Sequence, residues 1–199
     1  MREPKLESKN AVRSERTRVV LIAAARDLFA TGGYAATSTP DIVRQANVSR
    51  GALYHHFANK LGLFRAVVDA EQATVAWEID AASGHADDPI AAIRLGGEAF
   101  LEAMHDPGRR RILLIDGPAV LGTATMREID ARHAGHTLVE GVQAAIDAGR
   151  IRPLPAVGLA ALLNAAFDRV AEAEDEQGEY RLALWGLIDG LRTDPDRVL

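Results

Sequence analysis

Apolar residues recur three and four positions apart along most of the chain, and no stretch shows the period-two alternation of a half-buried strand. Leu21, Ile22, Ala25, Leu28 and Phe29 share one face of a helix expected from about Ser14 to Thr31. Gly32-Gly33 should end it, because glycine takes the left-handed conformation common after a helix. A second helix opens at Thr37-Ser38-Thr39, where Ser38 or Thr39 caps it, Pro40 fits only a first turn and Asp41 complements the dipole. Ile42, Val43 and Ala46 supply its inner face. Asn47 tolerates positive φ and makes a turn, Val48 enters the core, and Ser49 caps a third helix whose Leu53 and Phe57 face inward. Asn59 caps a long fourth helix, marked by Leu63, Phe64, Val67, Val68, Val75 and Ile79 and reaching about Ala82.

Further on, the same periodicity predicts helices at Pro89–His105, Arg109–Ile115, Thr123–Ala148, Ala156–Glu174 and Tyr180–Arg192. Asp116-Gly117-Pro118 should interrupt the chain and Gly149 should end the longest of these helices. The expected architecture is all-α, with about nine helices: a three-helix head over residues 12–58 and a larger helical domain over 59–199.

A hydrophobic content of 48% can supply a real core. With no cysteine in the chain, disulfides and thiolate metal sites are excluded. No run of about 18 purely apolar residues occurs, so no membrane span is expected. The charged start, MREPKLESKNAVRSER, is not a secretory signal, and a cytoplasmic location follows. The net charge of −5 hides an asymmetry: residues 1–60 hold ten Lys and Arg against five acids, a net of +5, which leaves −10 for the remainder. This is either an ordinary solvated surface or a basic head that meets a polyanion beside an acidic body that does not.

The segment YAATSTPDIVRQANVSRGALYHHFANK, Tyr34 to Lys60, favours the polyanion. Two short capped helices joined by a tight turn have the layout of a helix-turn-helix, whose second helix enters the DNA major groove. Thr37 and Ser38 are placed either to cap or to donate hydroxyls to a phosphate at a helix N-terminus. Arg50, following Ser49, suits bidentate pairing with guanine or a phosphate contact, and the small Gly51 and Ala52 allow close approach to the groove. Lys60 suits a phosphate as a point charge, and Arg44 is either a further contact or solvated surface.

The pattern Thr37-Ser38, Asp41-Ile42, Ala46, Val48-Ser49, Gly51, Leu53-Tyr54-His55-His56-Phe57, Lys60 and Leu63-Phe64 resembles the TetR family of regulators across residues 14–64. Asn47 stands where that family more often has a turn glycine. The segments RRRILLIDGPAVLG and REIDARH resemble the ligand-binding half of some members. The resemblance implies a homodimer that binds a double-stranded, near-palindromic operator, most often as a repressor released by a small-molecule effector. It also implies backbone contacts by Tyr54 and His55. A ligand cavity would be lined by Trp77, Phe100, Met104, Leu121, Met126, Ile129, His133, Asn164 and Phe167, each of which is otherwise ordinary core. The last two helices would form the dimer interface. Ala161 and Ala165, with Ala160, permit close approach, while Leu182, Trp185, Ile188 and Leu191 form a stripe that is either interface or core. His105, His133 and His136 lack an evident further ligand, so neither metal nor cofactor is expected. Arg109-Arg110-Arg111 marks an exposed helix start or an interdomain contact. Two other readings remain, a helical-bundle enzyme and a protein-binding adaptor. The first lacks a phosphate-cradling glycine loop, a zincin helix or a nucleophile elbow.

Overall fold

A computed structural model of the chain describes residues 9–133, 135–173 and 176–193. Ten α-helices follow in order: α1 (Lys9–Ala36), α2 (Thr39–Gln45), α3 (Arg50–His56), α4 (Lys60–Ser83), α5 (Pro89–Ala103), α6 (Pro107–Arg110), α7 (Gly117–Arg132), α8 (Gly135–Asp147), α9 (Ala156–Glu172) and α10 (Gln177–Asp189). A π-helical turn, Arg111–Asp116, joins α6 to α7, so nine separate rods result among the described residues. The only pairing of strand type among them is the isolated bridge Ile151–Arg192, which ties the α8–α9 connection to the end of α10.

The head is nucleated by local chemistry. Ser38 accepts from the Asp41 N–H at 3.3 Å, Ser49 from Ala52 at 3.1 Å and Asn59 from Gly62 at 2.8 Å, so each of α2, α3 and α4 begins at a side-chain cap. Asn47 has φ 51° and Gly33 φ 77°, the two reversals that let α1, α2 and α3 fold on one another. Leu21, Ala25 and Phe29 of α1, Ile42 of α2, Leu53 of α3 and Leu63, Phe64 and Val67 of α4 close a core in which each is fully buried. Within it the Phe29 ring meets Phe64 edge-on at 5.0 Å, and Tyr34 covers both rings.

By length and composition alone, residues 11–36 are apolar enough to cross a bilayer, a test that the core helix of a soluble protein also passes. Arg26 and Asp27 lie within that stretch, and its Leu21, Ala25 and Phe29 face form the head core. Packing accounts for that face alone, since Val12, Val19 and Val20 of the same stretch are exposed.

In the body, α4 packs along α5, α5 lies against α8 and α9, and α9 is sandwiched between α8 and α10. Several boundaries differ from the sequence expectation: α1 starts at Lys9 rather than Ser14, α10 spans Gln177–Asp189 rather than Tyr180–Arg192, and two differences lie around α7. Asp116-Gly117-Pro118 does not interrupt: Pro118 falls in the first turn of α7, where no N–H is needed, and the Gly117 N–H donates to Ile112 O across the widened turn. The backbone instead breaks at Gly122, with φ 79° and ψ 154°. The expected helix Thr123–Ala148 is two helices, α7 stopping at Arg132 and α8 starting at Gly135. The expected end of α9 at Glu174 lies outside the described residues.

Gly97 on α5 lets α9 and α10 close in. A Cβ there would lie 2.4 Å from Phe167 ring atoms and 2.9 Å from Trp185. Gly97→Ala should therefore lower stability by about 1–3 kcal/mol, read as an earlier midpoint in thermal or urea denaturation.

Candidate functional site

The capped helix α3 presents Arg50, Gly51, Tyr54 and His55 to solvent on the face opposite Leu53. The Arg50 guanidinium lies 5.5 Å from the Tyr54 ring centroid. The Thr39 side chain, and after it Arg50, hold the Tyr54 phenol below its ordinary pKa. Ser49 is exposed but already caps α3, and Ala52 is half-buried beside it. On α2, Arg44 is exposed and ion-paired with Asp41. The Ser38 hydroxyl, followed by Arg44, holds the Asp41 carboxyl below its ordinary pKa.

Two residues expected at phosphates turn inward. Thr37 is buried, and its hydroxyl donates to Gly33 O at 2.8 Å and Leu28 O at 3.2 Å, closing the end of α1. Lys60 Nζ donates to Tyr34 O at 2.9 Å and Thr37 O at 3.0 Å, and lies 4.1 Å from the Tyr34 ring centroid. The carbonyls left by the α1–α2 corner are satisfied this way, so Lys60 is a latch rather than a free cation.

The junction between head and body is ionic. Glu71 of α4, 9% exposed, accepts from Arg26 of α1 at 3.0 Å and from Arg109 of α6 at 2.9 Å. Arg109 reaches Glu78 at 3.0 Å, and Arg26 reaches Asp106 at 2.5 Å. Burial pushes the Asp106 carboxyl up, but Arg26 and the N–H groups of Gly108 and Arg109 outweigh it and leave its pKa lowered. Next to this, Arg111 donates to Ala30 O at 3.0 Å and Thr31 O at 2.6 Å, while Asp116 accepts from the Tyr34 N–H at 2.8 Å. The triple-arginine run thus supplies an interdomain contact through Arg111, while Arg109 binds Glu71 and Glu78 within the body.

The body holds a cavity of about 570 Å³, partly open to solvent, between α4, α5, α7, α8, α9 and the π turn. Of the residues expected to line it, Phe100, Met126, Asn164 and Phe167 do so. The others lie elsewhere. Trp77 is 71% exposed because it projects from the solvent side of α4. Met104 and Ile129 are fully buried in the packed core, and Leu121 packs half-buried against that core. His133 Nε2 lies 3.1 Å from Asp69 Oδ1, which ties α7 to α4.

Polar lining residues that sequence reasoning missed include Gln72, Arg127, Asp130 and Asp168. Asp168 had a usable signal, since it lies four residues after Asn164 and adjoins Phe167. Burial, then the nearby Asp130 and Glu172 carboxylates, push Asp168 up from 3.8 to about 7. Burial also raises Asp130, with His133 opposing. No group of three or more His, Asp or Glu suited to a metal occurs among the described residues, and the His136 side chain lies outside them.

The expected interface residues divide. Ala161, Ala165 and Leu182 are exposed, whereas Trp185 and Ile188 are core of the same chain. Trp185 packs against Phe167 at 5.8 Å between ring centroids and lies under Arg94 at 4.6 Å, so its half of the stripe faces inward. Val157, Leu162 and Leu187, each at least 65% exposed, extend the outer apolar face.

Comparison with known proteins fits this geometry. Residues 21–67 match the family of bacterial regulatory proteins, tetR family, and residues 90–191 match the tetracyclin repressor-like C-terminal domain. A crystal structure of a TetR-family transcriptional regulator from Pectobacterium atrosepticum is 33% identical, covers 92% of this chain and 98% of that one, and superposes with a TM-score of 0.78. The HTH-type transcriptional regulator TtgR of Pseudomonas putida is 36% identical over 101 residues, 50% of this chain and 48% of that protein. The A-factor receptor protein of Streptomyces griseus is 32% identical over 84 residues, 42% of this chain and 28% of that protein. The chain thus spans about half, or less, of the length of these curated relatives. It belongs to the TetR family of bacterial regulatory proteins.

Lys60→Ala should cost about 2 kcal/mol of stability and leave the salt dependence of DNA binding unchanged, as denaturation and salt-titrated binding would show. Asp168 has a folded-state pKa above its unfolded value, so stability falls as pH rises from about 4 to about 7 and is flat above. Asp168→Asn should remove that loss, stabilising the protein by about 2–4 kcal/mol at pH 8 and little at pH 4 in paired melting curves.

Proposed function

We propose that the chain is a cytoplasmic, ligand-responsive transcriptional regulator: a homodimer that represses from a near-palindromic operator and is released when a small molecule fills the cavity. The observation that carries this reading is the double role of α4. Its first turns are built into the head through Lys60, Leu63 and Phe64, and its later turns line the cavity through Gln72, Val75, Ile79 and Ser83. A ligand that favours one position of α4 therefore biases the position of the head, by no more than its difference in affinity for the two states.

The proposed boundary lies between residues 58 and 59, with the head before it and the ligand and dimer domain after it. Arg50 reads a base edge, with Gly51 and Ala52 allowing approach. Tyr54, His55, Arg44, Ser38 and Ser49 lie against the sugar–phosphate backbone. Ala161, Ala165 and Leu182, with Val157, Leu162 and Leu187, cover one another across the two-fold axis. Leaving that apolar face in water would be costly for a monomer. Two recognition helices roughly 34–36 Å apart would then meet successive major grooves.

The test is titration of the protein against DNA from beside its own gene and against single-base variants of the bound site. Arg50→Ala should lose about 1–3 kcal/mol, concentrated at one base position of each half-site. Absence of salt-sensitive, sequence-selective binding would leave the enzyme or adaptor reading in its place.

A further inference from the structure

We propose that the cavity takes an amphiphilic cation, an apolar body with one protonated amine or comparable cationic head that sits between Asp130 and Asp168. The inference rests on the reading of this cavity as the effector site and names the chemistry that it selects. Phe100 and Phe167, 6.3 Å apart and edge-to-face, form an aromatic corner of the lining. Asp130 from α7 and Asp168 from α9 enter the same space. Among the described residues neither forms an ion pair with lysine or arginine. Among the described residues, His133 acts favourably on Asp130 and is itself bonded to Asp69, while the carboxylates near Asp168 act against its charge.

Charge decides between ligand classes. Four carboxylates (Asp130, Glu140, Asp168 and Glu172) line the cavity against one guanidinium, Arg127. An anionic ligand would add to an unfavourable field. A neutral apolar ligand would strip water from two carboxylates and return nothing to them. A cationic head supplies the charge-assisted hydrogen bonds that both lack, and the aromatic corner accepts either the apolar body or the edge of the cation. A volume of about 570 Å³ suits a drug-sized molecule.

Calorimetric titration of the full chain with 4-phenylbutylamine, 4-phenylbutanol and 4-phenylbutyrate separates the cases. These three probes share an apolar body and differ in head charge. The amine should bind about tenfold tighter than the alcohol, and the carboxylate weakest. Asp168→Asn, and independently Asp130→Asn, should abolish the preference, so that the amine's affinity relative to the alcohol's falls by about tenfold. Asp168 titrates near 7, with Asp130, Glu172, Glu140 and Arg127 sharing the lining. The amine stays protonated throughout, so its affinity relative to the alcohol's should rise by about tenfold between pH 6 and pH 8. Equal binding of amine and alcohol, or a preference that survives both substitutions, overturns the charge assignment and leaves the ligand cavity standing. Binding of none of the three overturns the cavity reading, and this inference with it.

Discussion

A carboxylate withdrawn from water is tolerated only when its lone pairs are satisfied, and Glu71 meets that condition by gripping both halves of the molecule. Its two oxygens take separate guanidiniums, Arg26 from the recognition head and Arg109 from the body. An ion network of this kind adds little net stability compared with an apolar replacement, but losing one member leaves uncompensated charge, so it acts as a positional constraint. Arg111 and Asp116 repeat the constraint at the far end of α1, where a cation meets orphan carbonyls and a carboxylate takes a freed N–H. The head is thus held at two points, and both holding elements, α4 and the π turn, also wall the cavity.

This arrangement gives a physical route between the two sites. Occupying the cavity acts on α4 and on Leu113 and Leu114 of the π turn, the same segments that fix the orientation of α1. The π turn is suited to that duty because its widened hydrogen bonding places Gly117, rather than a bulkier residue, against Ile112 O and Met126. Gly97 does the equivalent at the opposite wall, where the rings of Phe167 and Trp185 crowd α5. Small residues thus shape the space, and the aromatic rings packed against them belong to the core rather than to an oligomeric surface.

Short-range signals are legible in the amino-acid order alone. The caps Ser38, Ser49 and Asn59, the reversals at Asn47 and Gly33 and the first-turn Pro40 each act within four residues, and each holds in the fold. Such signals mislead where longer-range geometry intervenes. Pro118 has the character of a breaker, yet the preceding π turn accommodates its missing N–H. Trp77 has the character of a lining residue, yet it points away from the body. Lys60 has the character of a free cation, yet it is drawn to the carbonyls of the α1–α2 corner.

Periodicity says which residues of a helix share a face but not what that face meets. The stripe Leu182, Trp185, Ile188 can therefore be recognised from spacing, while its division into an outer Leu182 and an inner Trp185 and Ile188 cannot. The all-helical fold, the helix-turn-helix and the basic head are written in short-range spacing and composition. The pairing of Glu71 with two arginines distant in sequence, and the meeting of Asp130 and Asp168 in one cavity, arise only when helices from separate parts of the chain pack, because charge and desolvation act through space.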